Sequence, residues 1–155
     1  MYSETLGILD GVCKLVLEEL AFLFCDSNDA SSVDLNQMKD TKCVSMSFMG
    51  PTNGRLEIAA GQDLCLILAA NMLGAEPDEE EAANHAVDAL KEALNVVCGR
   101  FLTETFGEEA VFNLSAPVSE PAEELSKVHE TAVSEGMLFF EAEGHFMVVK
   151  ITICK

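Results

Sequence analysis

The chain has 155 residues, 49% of them hydrophobic, with 27 acidic side chains against nine basic ones and a formal charge of −18. That length suits one domain, residues 1–155, with a core of its own, and the apolar content sets disorder aside as the default. A field of this sign repels phosphate backbones and anionic lipid headgroups, so nucleic acid and membrane are set aside as partners, and a protein with a basic patch is favoured.

The opening Met1-Tyr2-Ser3-Glu4-Thr5 has no positive n-region and no small-residue cleavage site, so it does not read as a signal peptide. Leu6, Leu9, Cys13, Val16, Leu17, Leu20 and Phe24 recur at helical spacing and predict an amphipathic helix from Leu6 to Phe24. Cys25 to Ser32 breaks that period with polar, turn-forming residues. From Cys43 to Met49 the pattern alternates, with Val44, Met46 and Phe48 on one face and Ser45 and Ser47 on the other. Gly50-Pro51-Thr52-Asn53-Gly54 supplies a turn, and alternation resumes over Arg55 to Ala59, which predicts a β-hairpin. Gln62 to Leu73 reads as an apolar helix with Gly74 as its C-terminal cap.

Pro77 to Gly107 predicts one long helix. Proline near its first turn, a capping box of Asp78 and Glu81, and Gly107 at its end mark the boundaries. At about 100° per residue, Leu90, Leu94, Val97 and Phe101 form an apolar face flanked by Val87 and Ala93. On the opposite side Asp88, Glu92, Asn95 and Gly99 align within roughly 60° of arc, extended upward by Asn84 and Glu81. Asn and Gly each cost about 0.5–1 kcal/mol against Ala in a helix interior. Two of them on one exposed line fit either a solvated face or a surface against which a partner docks, with Gly99 removing bulk beside Asn95.

Beyond the helix, Val111 to Leu114 predicts a short strand, and Pro117 and Pro121 bracket a loop. Three further runs, near Val128–Val133, Met137–Glu141 and Phe146–Ile153, are separated by Gly136 and Gly144, as an antiparallel meander requires. The expected fold class is α+β, an antiparallel or mixed sheet with three main helices packed on it.

Chemistry of the chain's own is hard to assemble. The histidines His85, His129 and His145 lie outside any G-x-S-x-G or H-E-x-x-H setting and read as solvated. Gly50-x-x-x-Gly54 lacks the Lys-Ser/Thr of a phosphate loop, and no zinc spacing occurs. The six cysteines are widely spaced with no C-x-x-C pair and read as small, reduced core residues of a cytoplasmic protein.

Asp88-Ala89-Leu90-Lys91-Glu92-Ala93-Leu94-Asn95 fits the D/S-x-x-x-E-x-x-N signature of the CheC/CheX/FliY chemotaxis phosphatases. Phe48-Met49-Gly50…Gly54-Arg55-Leu56, Asn95…Gly99-Arg100 and Leu114-Ser115-Ala116-Pro117 also resemble segments of that family, and of its CheX branch in particular, over roughly Thr41 to Ile153. No second copy of the signature stands on the N-terminal helix, where Glu4-x-x-Gly7, Glu18-x-x-Ala21 and Glu19-x-x-Phe22 all lack the Asn. The resemblance implies a CheC/CheX-like fold, a homodimer joined through sheet edges, and hydrolysis of the aspartyl-phosphate on a CheY-like receiver domain. It implies Asn95 and Glu92 as catalytic residues, Asn95 orienting the attacking water and Glu92 pairing with the receiver's lysine. Asp88 completes the motif as a binding residue, with docking or local support of the helix as its two readings, and Gly99 is added as a binding residue because of its clearance. No cofactor of its own is implied, Mg2+ coming with the receiver. Two other readings remain: a non-catalytic receiver-binding scaffold and an acidic structural subunit.

Overall fold

The computed structural model describes residues 2–28, 40–121 and 136–154. In chain order these form α1 (Tyr2–Ala21), β1 (Asp26–Asn28), β2 (Lys42–Met49), β3 (Asn53–Ala60), α2 (Gln62–Leu73), α3 (Glu80–Phe106), β4 (Asn113–Leu114), β5 (Val118–Glu120), β6 (Met137–Ala142) and β7 (His145–Cys154). The strands make one sheet in the order β1-β6-β7-β3-β2-β4, with β5 also on β2, and every pairing among them is antiparallel. This is the expected α+β class, its sheet antiparallel rather than mixed.

Alternation decides which face of the sheet is covered by helices. Val44, Met46 and Phe48 of β2, Leu56 and Ile58 of β3, and Val149 and Ile151 of β7 all join one buried cluster with the inner faces of the three helices. α1 lies over β6, α2 over β7, and α3 over β2 and β3, with α1 and α2 flanking α3. The predicted hairpin forms with Phe48 opposite Gly54. A Cβ on Gly54 would run into the Phe48 ring and stand 2.6 Å from the Thr152 carbonyl oxygen, so only glycine fits there. α2 has the predicted bounds, and Gly74 caps it at φ 72°, its N–H donating to the Ala70 carbonyl.

The departures have local causes. The first helix stops at Ala21, where Phe22 turns the chain at φ 53°. Leu23 is then buried by the turn while Phe24, predicted on the apolar stripe, is 69% exposed. The polar run after it, predicted as a turn, contains β1, which pairs with β6. Its polar side chains suit an edge: Ser27 Oγ donates to Asp10 Oδ1 at 2.6 Å and Asn28 Nδ2 to Glu141 Oε2 at 3.2 Å. The segment between Pro117 and Pro121, predicted as a loop, pairs with β2 as β5. The prolines bracket the pairing without interrupting it, and Arg55 fixes it: its Nη2 donates to Ser45 Oγ at 3.1 Å and Glu120 Oε1 at 2.8 Å. The predicted strand from Val111 shortens to Asn113–Leu114. The run near Val128–Val133, with His129, lies outside the described residues.

Five of the six cysteines behave as core residues, and Cys154, at the end of β7, departs from that expectation. Cys13, Cys25, Cys43, Cys65 and Cys98 are buried thiols outside any disulfide, and Cys154 is exposed. Burial pushes the thiol of Cys13 upward, that of Cys25 to about 11, and those of Cys65 and Cys98 to about 12, so all four stay protonated and unreactive at pH 8. A thiol-reactive disulfide reagent at pH 8 is expected to modify about one thiol per native chain quickly, Cys154, and all six only after denaturation. Rapid reaction of several thiols in the native protein would contradict this packing.

Candidate functional site

α3 is a 27-residue helix, about 40 Å long, that presents its two faces to different worlds. Leu90, Leu94, Val97 and Phe101 are each at most 1% exposed and lie in the core with Ala86, Ala93 and Cys98. Glu81, Asn84, Asp88, Glu92 and Asn95 are exposed, and Gly99 is half-buried. The helical spacing therefore sets the signature residues as an outward ridge, with Glu92 and Asn95 one turn apart.

Polar contacts tie the lower part of α3 and its neighbouring helices together. Arg100, next to Gly99, pairs with Glu19 of α1 at 3.2 Å. Asn71 Nδ2 donates to the Ala21 carbonyl at 2.8 Å and joins α2 to the end of α1. Thr103 Oγ1 donates to the Gly99 carbonyl at 3.0 Å, completing the bonding of the turn below. At the upper end His85 Nδ1 lies 4.0 Å from Asp88 Oδ2, both side chains being largely exposed. Asp88 thus has a neighbour on its own helix, while the side chains of Glu92 and Asn95 make no hydrogen bond or ion pair among the described residues.

The N-terminal signal of α3 differs from the predicted one. The helix begins at Glu80 with Glu79 as its N-cap, and no side chain bonds the first turn. Asp78 lies one residue too early to serve as the cap, because Pro77-Asp78-Glu79 is taken up in a turn closed by the Glu79 N–H to Glu76 carbonyl bond at 3.1 Å. The capping box of Asp78 and Glu81 is not formed. Glu80 and Glu81 still place negative charge at the positive end of the helix.

At Gly99 a Cβ would meet nothing within 4 Å. The chain itself therefore does not require glycine there. Phe106 lies on the same line further down the ridge, a placement the helical period alone predicts. Chemically the ridge offers one carboxamide, able to accept and donate hydrogen bonds, and a carboxylate one turn away able to pair with a cation. Among the described residues no group of three or more His, Cys, Asp or Glu is placed to hold a metal ion, and no helix is long and apolar enough to cross a membrane.

The family model described as chemotaxis phosphatase CheX matches residues 43–141, more than half of the chain. Among solved structures, the CheX–CheY–BeF3–Mg2+ complex from Borrelia burgdorferi is similar at 20% identity and a TM-score of 0.70, covering 100% of this chain and 99% of that one. Chemotaxis protein CheX from Vibrio vulnificus gives 18% identity and a TM-score of 0.70, with 99% of each chain covered. CheX from Desulfovibrio desulfuricans gives 13% identity and 0.67, covering 97% of this chain and 99% of that one. At such identities the likeness concerns the fold. No curated protein matches the chain.

Proposed function

The chain belongs to the CheX chemotaxis phosphatase family, and from that premise we propose that it hydrolyses the aspartyl-phosphate of a CheY-like receiver domain. The observation that carries this reading is the exposed pair Glu92 and Asn95, one turn apart on a helix whose other face is locked in the core. The similar protein from Borrelia burgdorferi is seen in complex with CheY, BeF3 and Mg2+, which supports a receiver as partner.

The reaction transfers the phosphoryl group from the receiver's aspartate to water. A water oxygen attacks phosphorus in line, the bond to the aspartate oxygen breaks, and inorganic phosphate leaves. Catalysis of such a step is mainly positioning and charge stabilisation. The Asn95 carboxamide oxygen accepts a hydrogen bond from the water and its NH2 donates to an acceptor of the partner site, which fixes the water's line of approach. Glu92 pairs with the receiver's lysine and sets the depth of insertion. Asp88 adds acidic docking surface above them. The Mg2+ of the reaction is assigned to the receiver's own site, and a pair of copies joined through a sheet edge belongs to the same family expectation.

A phosphate-release assay across the phosphorylated receivers of the same genome tests this reading. At least one receiver is expected to lose phosphate faster with the protein than alone. In that pair Glu92→Ala should weaken both binding and turnover, by about tenfold or more, since an ion pair is lost at a contact closed to solvent. Binding of receivers without acceleration of any of them would favour the scaffold reading.

Gly99 provides a separate test. With open space at its Cβ, Gly99→Ala is expected to stabilise the free protein by about 0.5–1 kcal/mol through helix propensity, raising the thermal midpoint by a few degrees. The same methyl group would stand where the receiver approaches, so dephosphorylation should slow. A variant both more stable and fully active would remove Gly99 from the docking surface.

A further inference from the structure

The ridge does not end at Gly99. Five turns of about 3.6 residues separate Asp88 from Phe106, which returns the Phe106 ring to the line of Asp88, Asn95 and Gly99. This ring stays 36% exposed although it packs on Phe112 with centroids 5.2 Å apart. Phe112 in turn meets the buried Phe48 edge-on at 5.9 Å, so the exposed ring is anchored through a second aromatic to the core. Gly50 makes room for this arrangement, since a Cβ there would lie 2.6 Å from the Val111 carbonyl and 2.8 Å from the Phe112 ring. Val111, one residue before Phe112, is 79% exposed, and Leu114, two residues after it, is also exposed.

Glu108 and Glu109, in the turn between Phe106 and Val111, are exposed. An apolar centre with acidic neighbours fits a surface whose apolar side chain is flanked by Lys or Arg. A second copy packed on this same patch would bring Glu108 and Glu109 against like charges, which disfavours it here while leaving pairing through a sheet edge open. Distance also fits one particular occupant. A standard interface covers about 800 Å2 per partner, a disc of about 16 Å radius. Eleven residues at about 1.5 Å each put Phe106 about 16 Å from Asn95, at the edge of that disc.

We propose that Phe106, Phe112 and Val111 form an apolar anchor for the receiver domain whose phosphate Asn95 reaches, holding an apolar side chain of the receiver that has basic neighbours. This rests on the receiver-phosphatase reading and adds to it the second contact that sets affinity and the choice among receivers.

The test uses the full chain and the receiver that the wild-type protein dephosphorylates fastest. Phe106→Ala and Val111→Lys are compared with wild type and Asn95→Ala in steady-state phosphate release and in binding to the same receiver activated with beryllofluoride and Mg2+. Val111→Lys is the safer variant for folding because the side chain is so exposed, and it puts a cation against the partner's cations. Each anchor variant is expected to raise KM and Kd by about tenfold, with the loss falling on these rather than on kcat. Unchanged KM and Kd in Val111→Lys, while Asn95→Ala still loses turnover, would overturn the anchor and leave the phosphatase reading standing. So would a change confined to the sedimentation behaviour of the protein alone, which would assign the patch to a second copy. Failure of the wild type to accelerate any receiver would remove both.

Discussion

Asn95→Ala is expected to reduce receiver dephosphorylation by on the order of 100-fold, the scale seen when one preorganised polar contact to a reacting centre is removed. Affinity for a beryllofluoride-activated receiver should change by no more than about twofold, because Glu92 and the rest of the ridge remain. Stability should not fall. Asn95 is exposed on the outer face of α3, and alanine there is favoured by helix propensity by about 0.5 kcal/mol. The combination separates a positioning role from a structural one: a damaged fold would lower kcat together with the thermal midpoint. Phosphate release at saturating receiver, read beside a thermal melt, measures both.

The second large effect belongs to the opposite face of the same helix. Phe101 is fully buried among the residues that hold α3 on the sheet and against its neighbours. Phe101→Ala should cost about 3–5 kcal/mol, from lost transfer free energy and the cavity left behind. For a domain whose whole stability is about 5–15 kcal/mol, that is a large share. Denaturant unfolding should show the midpoint falling sharply with little change in slope. Activity measured per folded molecule is expected to fall far less than in Asn95→Ala, since the ridge keeps its side chains. The two variants, six residues apart, would then divide α3 into a face that makes the fold and a face that does the chemistry.

The divided helix was legible in the sequence because a 3.6-residue period places Leu90, Leu94, Val97 and Phe101 together whatever they pack on. The bounds of α2 and the β2–β3 hairpin were legible for a related reason, each being written in local turn chemistry such as Gly74 and Gly50 to Gly54. β1 and β5 were not legible. Asp26–Asn28 and Val118–Glu120 are three-residue strands whose extended form comes from partners far away in the chain, β6 and β2. No alternation can register in so few residues. Phe24 was misplaced because the apolar period runs on past Ala21 while the backbone does not, the turn at Phe22 being invisible in a pattern of hydrophobicity. The capping box failed for want of one residue of register between Asp78 and the true N-cap, Glu79. Phe106 stood in plain view of the helical period, but its pairing with Phe112 depends on a chain reversal that no periodicity encodes.

The most direct test of the account is a crystal structure of the protein bound to a receiver carrying beryllofluoride and Mg2+. The Asn95 carboxamide should lie within hydrogen-bond distance, about 3 Å, of a water aligned with the beryllium, with the Glu92 carboxylate on the receiver's lysine. A complex in which the receiver's active site faces any surface other than the outer ridge of α3, or in which Asn95 points away from the beryllofluoride, would contradict it.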